Sequence, residues 1–351
     1  TTADRFQVMV HVDEATLALR AGRGPWSAIV EADVEGSDTR AHLREAWLSY
    51  AFGPRLVLAA GQIRQAMNSE LATPEIVRGT PGDGFASHLT GRVAPGVAAT
   101  SEWNCGAVRY EASATFGHGF GVEGAPRDSR RLVGRAVFRP LQNVLPEGTA
   151  RAVGNGLWTG FAVSRDDDFD DPVRLETPLE ASVFRTDDLR GGGGRAWLWE
   201  VGWTNERLRV SLERTEGEAQ DVPTARGPRD FDQLTAWSVH AAVSLTDTRL
   251  GYDGGRWTRE PAARHGPGGD WELAARYSNA DIDRGLLDAG LAPPGRGSQE
   301  TRTFTVALGW RPAPEVRLSL AFVSTIADEP LAAFEGGRRD RSLLLRLEVA
   351  F

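Results

Sequence analysis

The chain has 351 residues, of which 41% are hydrophobic and 25% charged, and its net charge is −8. That balance excludes a disordered or collagen-like chain, and a nucleic-acid binder would normally be basic overall. One cysteine, Cys105, excludes an internal disulfide framework, and no apolar run reaches the ~20 residues of a membrane-spanning helix.

Taken in order, segments of about ten residues alternate apolar and polar at period two, the mark of strands with one apolar face. They fall near 5–20, 26–36, 41–52, 55–65, 93–103 and 107–117. Others lie near 130–140, 155–165, 176–187, 195–204, 207–216 and 231–245. The last four are near 270–280, 300–311, 315–325 and 341–351. The first breaks its own parity: Phe6, Val8, Val10 and Val12 share a face, Glu14 interrupts it, and Leu17 and Leu19 take over. A bulge or tight break there splits 5–20 in two.

"RAWLWEVGW" sets Trp197, Trp199, Val201 and Trp203 against Ala196, Leu198, Glu200 and Gly202. The closing "SLLLRLEVAF" sets Leu343, Leu345, Leu347, Val349 and Phe351 against Ser342, Leu344, Arg346, Glu348 and Ala350. One face is apolar, with aromatics near strand ends (Trp26, Tyr50, Phe116, Phe138, Trp203, Trp310 and Phe351) as in the girdles of a membrane barrel. The other is small or charged. The expected fold is all-β: a transmembrane antiparallel β-barrel in the outer membrane of a Gram-negative bacterium. It has sixteen strands, with eighteen as the alternative, short periplasmic turns and longer extracellular loops, in one domain over 1–351. A last strand that closes the barrel leaves no unpaired edge in lipid, and the terminal Phe351 resembles the signal read by the barrel assembly machinery. One conflict stands: this numbering puts the short turns at 53–54 and 312–314 on opposite sides of the membrane.

Inward parity places Arg109, Arg131, Arg135, Arg139, Arg209, Arg276, Arg317 and Arg346 in the lumen. It places Glu31, Asp33, Glu45, Glu111, Glu200, Glu213, Glu272 and Glu348 there too. Such walls either set a transverse field that orients polar solutes or tie themselves into salt bridges that keep the barrel round. Every one of the 40 basic residues is arginine, which reads as genomic bias or as a preference for guanidinium forks that grip oxyanions. The aspartates of "SRDDDFDDPV" read as a solvated loop or as oxygen ligands for calcium, without EF-hand spacing. No Gly-x-Ser-x-Gly or His-Glu-x-x-His motif occurs. His240, near Ser238 and Ser244, is a weak hint of a nucleophile pair. No catalytic residue, metal or cofactor is expected.

Three stretches, in chain order, resemble the phosphate-selective porin O and P family. They are "REAWLSYAFGPRLVLAAGQIRQ" with its Gly61-Gln62 pair, "DWELAARYSNADIDRG", and "VALGWRPAPEVRLSLAF" followed by "LLLRLEVAF". The resemblance implies a sixteen-stranded barrel, a homotrimer, passing small solutes and often anions across the outer membrane. It also implies inward arginines and a third loop folded into the lumen. By position these are Arg64 and the loop over 66–92 with Glu75, Arg78 and Arg92. That loop carries no cluster of basic residues, a departure from the family's phosphate path. The implied function is a water-filled channel for passive diffusion of small hydrophilic solutes or ions, anions such as phosphate among them. Its partners are outer-membrane lipid and lipopolysaccharide, small ions, further copies of the chain and the assembly machinery, with no nucleic acid. The competing reading is a structural barrel with a narrow or plugged lumen that anchors a partner protein.

Overall fold

Period-two alternation carries long strands through nearly the whole chain, here described from a computed structural model. It describes residues 7–349 apart from 10–13, 36–40, 66, 74, 82–83, 89–91, 104–107, 117–129, 142–155, 168–173, 179–180, 187–191, 225, 247, 254, 261–267, 294 and 314. The first strands are β1 (Gln7–Met9), β2 (Glu14–Arg23), β3 (Trp26–Glu35), β4 (Ala41–Ala51) and β5 (Leu56–Gln65). Three one-turn helices follow: α1 (Ser69–Ala72), α2 (Glu75–Arg78) and α3 (Phe85–His88). Next come β6 (Arg92–Trp103), β7 (Val108–Phe116), β8 (Arg130–Phe138) and β9 (Leu157–Asp166), then a small hairpin of β10 (Arg174–Glu176) and β11 (Ser182–Arg185). β12 (Gly193–Thr204), β13 (Leu208–Val222) and β14 (Arg229–Ser244) lead to a second hairpin, β15 (Arg249–Asp253) and β16 (Arg256–Glu260). The chain continues through β17 (Asp270–Ile282), α4 (Arg284–Asp288), β18 (Glu300–Ala313), β19 (Val316–Leu331) and β20 (Gly337–Val349).

One up-and-down meander runs from β2 to β20 with the two hairpins left out, each strand antiparallel to its neighbour in sequence. The three-residue β1 adds to its far edge, pairing in parallel with β20 as Gln7↔Ser342, Val8↔Leu343 and Met9↔Leu344. The described sheet therefore has sixteen members, but the expectation differs in two places. The segment 176–187 is not a wall strand. Leu175, Val183 and Phe184, which mimic a strand pattern, are buried against other loops instead of facing lipid. Without it the long strands among the described residues are odd in number, so β2 and β20 run in the same direction, and the contact of β1 with β20 is parallel. The same correction removes the conflict over turns: the connections β2–β3, β4–β5, β12–β13 and β18–β19, all short, now lie at one end. The expected break between the two parities falls on residues 10–13, between 7–9 and 14–23, and so lies outside the described residues.

Side chains sort as a membrane wall requires. Phe161, Val163, Trp199, Leu273, Phe304, Leu320, Phe322, Leu345 and Leu347 are exposed on the outside, while their neighbours along each strand are buried or half-buried. The main apolar core sits inside the long-loop end. There Phe85, Leu175, Phe184, Phe231, Leu286, Leu331 and Phe334 pack into one cluster.

Candidate functional site

The loop between β5 and β6 is buried against inward side chains of strands far along the chain. Met67, Asn68, Ser69, Glu70, Thr73, Thr80, Phe85 and Ser87 are all at most 2% exposed. Helix α1 starts on the Asn68 side chain, which accepts from the Leu71 N–H, a polar N-cap. The same residue's amide donates to Glu213 on β13 at 2.8 Å.

Glu70 is held from three sides: Arg276 Nη1 donates to Oε1 at 2.6 Å, while the Gly84 N–H and Ser87 hydroxyl donate to Oε2 at 2.9 and 2.7 Å. Arg276 Nη2 also donates to the Pro81 carbonyl at 2.9 Å. Arg135 on β8 donates to Glu200 on β12 at 2.6 Å and to the Ser69 hydroxyl at 3.1 Å. Arg317 on β19 pairs with Glu348 at 3.1 Å and donates to the Gly79 carbonyl. Small residues make the room. Gly160 is the register partner of Glu200, and a Cβ there would sit 2.5 Å from Oε1 of that carboxylate. Gly79 has φ +92, a left-handed conformation suited to glycine, and faces Glu272.

The second hairpin enters from the short-turn end and meets the loop. The hydroxyls of Tyr252 and Ser69 are 3.0 Å apart, and the backbone N–H of Trp257 donates to Thr73 Oγ1 at 2.9 Å. Tyr252 stacks on Trp158 of the wall at 4.0 Å. Gly202, the register partner of Trp158, leaves space for that indole. Trp257 stacks on His240 at 4.6 Å and lies under the Arg209 guanidinium, 4.4 Å from the ring centre. His240 is thus packed against an indole beside arginines.

The sequence-derived residues fall into distinct groups. Arg135, Arg209, Glu272, Arg276 and Arg317 are brought together in the buried zone where the loop and hairpin meet the wall. Arg209 Nη2 donates to the Arg78 carbonyl at 3.1 Å, and Arg78 Nε donates to the Thr73 carbonyl at 2.8 Å. Glu272 receives Arg259 of the hairpin at 2.8 Å, with Arg311 at 4.0 Å. Arg346 reaches Glu348 at 3.8 Å, and Arg139 reaches Asp253 at 3.6 Å. Arg64 stands apart on the opposite stretch of wall, 3.0 Å from Glu45 and 4.0 Å from Glu31, with 18% of its side chain exposed. Glu75 opens α2, Arg92 opens β6, and Arg109 and Glu111 lie on β7. The side chains of these four, and all of Phe351, lie outside the described residues.

In the buried zone wall salt bridges such as Arg135–Glu200 and Arg317–Glu348 are joined by contacts to the loop. Arg276 and Arg317 reach from the wall to the inserted loop, and Arg135 grips a wall carboxylate and the loop together. Asn68, Ser69, Glu70, Tyr252 and Trp257 escaped sequence reasoning because their roles come from contacts made across the lumen. The one local signal was the Asp253-Gly254-Gly255 turn between short β-rich runs, which fits a hairpin.

The family described as phosphate-selective porin O and P matches residues 24–351. The chain belongs to this family. No curated protein was found similar to it. Among solved structures it is similar to the outer membrane channel DcaP of Acinetobacter baumannii, with TM-score 0.56, 15% identity, and 96% and 84% of the two chains covered. It is also similar to Salmonella typhi OmpF in complex with daunomycin, with TM-score 0.57, 7% identity and 95% and 89% covered. A third is the anion-selective porin from Comamonas acidovorans, with TM-score 0.50, 10% identity and 96% and 90% covered. These likenesses concern the fold. Together with the family they make this chain a porin barrel of the Gram-negative outer membrane, from a family of diffusion channels and not of enzymes.

Proposed function

We propose that this porin is a single barrel domain over 1–351, assembled as a homotrimer, that passes small hydrophilic solutes with a bias toward anions. The passage runs between the inserted loop and the β3–β5 wall that carries Arg64. The observation that supports this most is the anchoring of the loop through Glu70–Arg276, Arg135–Ser69 and Arg317–Gly79. A loop fixed at several points to one side of a lumen narrows the path without ending it, and selection then follows from size and wall charge. Arg64 and Arg346 bring cationic groups with partial exposure to that path. The reading assigns no catalytic, metal or cofactor role to any residue.

A second reading, the plugged anchor, draws on the hairpin β15–β16, which fills space from the other end. Planar-bilayer recording of the purified protein separates the two. Stepwise conductance, with a reversal potential that reports anion preference under a salt gradient, is the expected result. A silent bilayer, with the barrel verified as folded and inserted, would overturn the channel and favour the anchor. Block by added phosphate would identify the anion class, and conductance without block would leave a general porin.

A further inference from the structure

The outside of the wall is not evenly convex. Between β3 and β12 it holds an open apolar concavity of about 990 Å³. Its floor is made of small residues, Ala59, Ala60, Ala98, Ala99 and Gly134, and its sides of larger ones such as Leu58, Val97 and Leu132. At the short-turn end it is bounded by an edge-to-face aromatic row, Trp26–Tyr50 at 4.7 Å and Tyr50–Phe52 at 4.6 Å. At the long-loop end it is bounded by Arg165 and Arg195.

These two arginines are direct register partners on adjacent strands, both on the outer face, with side chains 63% and 52% exposed. Like charges placed opposite each other on one sheet face repel. Among the described residues, Asp167 lies 3.2 Å from Arg165, and Glu218 lies 3.8 Å from Arg195. Arg130, also exposed on the outer side, is two residues from Leu132, the register partner of Arg165. Among the described residues, three guanidiniums thus meet two carboxylates at the long-loop end of an apolar trough. Guanidinium forks match phosphate oxygens well.

We infer that the concavity seats a phosphorylated glycolipid of the outer leaflet, its acyl chains along the trough and its phosphate on Arg165 and Arg195. A trough with a cationic end requires an amphiphile with an anionic head. A purely apolar partner surface would fill the trough but offer no anion to the guanidiniums.

The test is native mass spectrometry of the folded full-length protein incubated with bis-phosphorylated lipid A or with its dephosphorylated form. Wild type should retain the phosphorylated lipid in preference. The double variant Arg165→Gln/Arg195→Gln should hold it roughly tenfold more weakly, the scale of one or two charge-assisted hydrogen bonds. Gly134→Leu should displace the lipid with the arginines intact. A Cβ at Gly134 meets only Val163 Cγ2, at 3.7 Å, so the new side chain enters the trough without a backbone clash. Heat-shifted gel mobility checks that each variant is folded. Equal retention by all three proteins, or equal binding of the two lipids, would overturn the inference. So would loss of the oligomer in Gly134→Leu with lipid binding unchanged, which would assign the trough to a second copy.

Discussion

The hydroxyls of Tyr252 and Ser69 lie 3.0 Å apart and join two segments that enter the lumen from opposite ends. Tyr252 also lies flat on Trp158, with an interplanar angle of 3°. Tyr252→Ala removes both contacts and should give larger, noisier conductance steps in a planar bilayer. Tyr252→Phe keeps the stack and should stay close to wild type. Equal traces from all three proteins would show that the hairpin does not limit the path.

Tyr252 also predicts a pH response. Burial, and secondarily the Glu200 carboxylate, push its phenol above the ordinary tyrosine value. A group whose folded pKa is raised contributes stability that is complete below its unfolded pKa, about 10, and is lost as pH climbs beyond it. Ultraviolet titration should therefore show one tyrosine that resists ionisation until the barrel opens, and Tyr252→Phe should remove that component. A normal titration of all tyrosines in the folded protein would contradict the burial.

Arg276→Ala strands Glu70 without its cation in a buried setting. Breaking one side of such a pair typically costs ~3–5 kcal/mol. The inserted loop should loosen, seen as proteolytic cleavage within 67–88 and as a raised, fluctuating conductance. A variant as resistant as wild type would show that Asn68–Glu213 and Ser69–Glu200 hold the loop without Arg276.

Arg64 lies between Glu31 and Glu45. Arg64→Ala leaves two carboxylates facing the path and should move the reversal potential toward cations, whereas Glu45→Gln should move it toward anions. One unit charge at close range in a wet lumen is worth about 1 kcal/mol, or at most roughly fivefold in the permeability ratio. No shift in either variant would place the passage elsewhere.

Gly61 has φ +136, and a Cβ there would lie 2.1 Å from the Ala46 carbonyl oxygen. Gly61→Ala should cost about 3 kcal/mol or more, by backbone strain and steric clash together. Loss of the heat-shifted folded band is the readout, and a normally folded Gly61→Ala would refute the clash. Next to it, the Gln62 amide donates to the Leu43 carbonyl at 2.5 Å. The Gly-Gln pair that carried the family resemblance thus marks a tight approach of β5 to β4.

Wall strands were legible because lipid on one side and a wet or packed lumen on the other impose period two on every residue, as in β12 and β20. The segment 176–187 misled for the same reason. Leu175, Val183 and Phe184 lie in short apolar runs bounded by polar residues, but they cluster with Phe85 and Phe334, contacts no local pattern reports. The inward arginines were placed by parity alone. What they hold was not legible, because Glu70 and Gly79 belong to a loop whose position depends on strands made much later in the chain.

That dependence has a consequence for biogenesis. The inserted loop follows the fifth strand, yet its main anchors are on β8, β17 and β19. Without those strands the loop lacks these anchors, and its carboxylate keeps only the Gly84 and Ser87 donors of the loop itself. Threading of the loop and arrival of the late strands must therefore be one cooperative event of high contact order. A chain stalled before β17 would present Glu70 and its polar helix to the assembly apparatus as an unfinished surface.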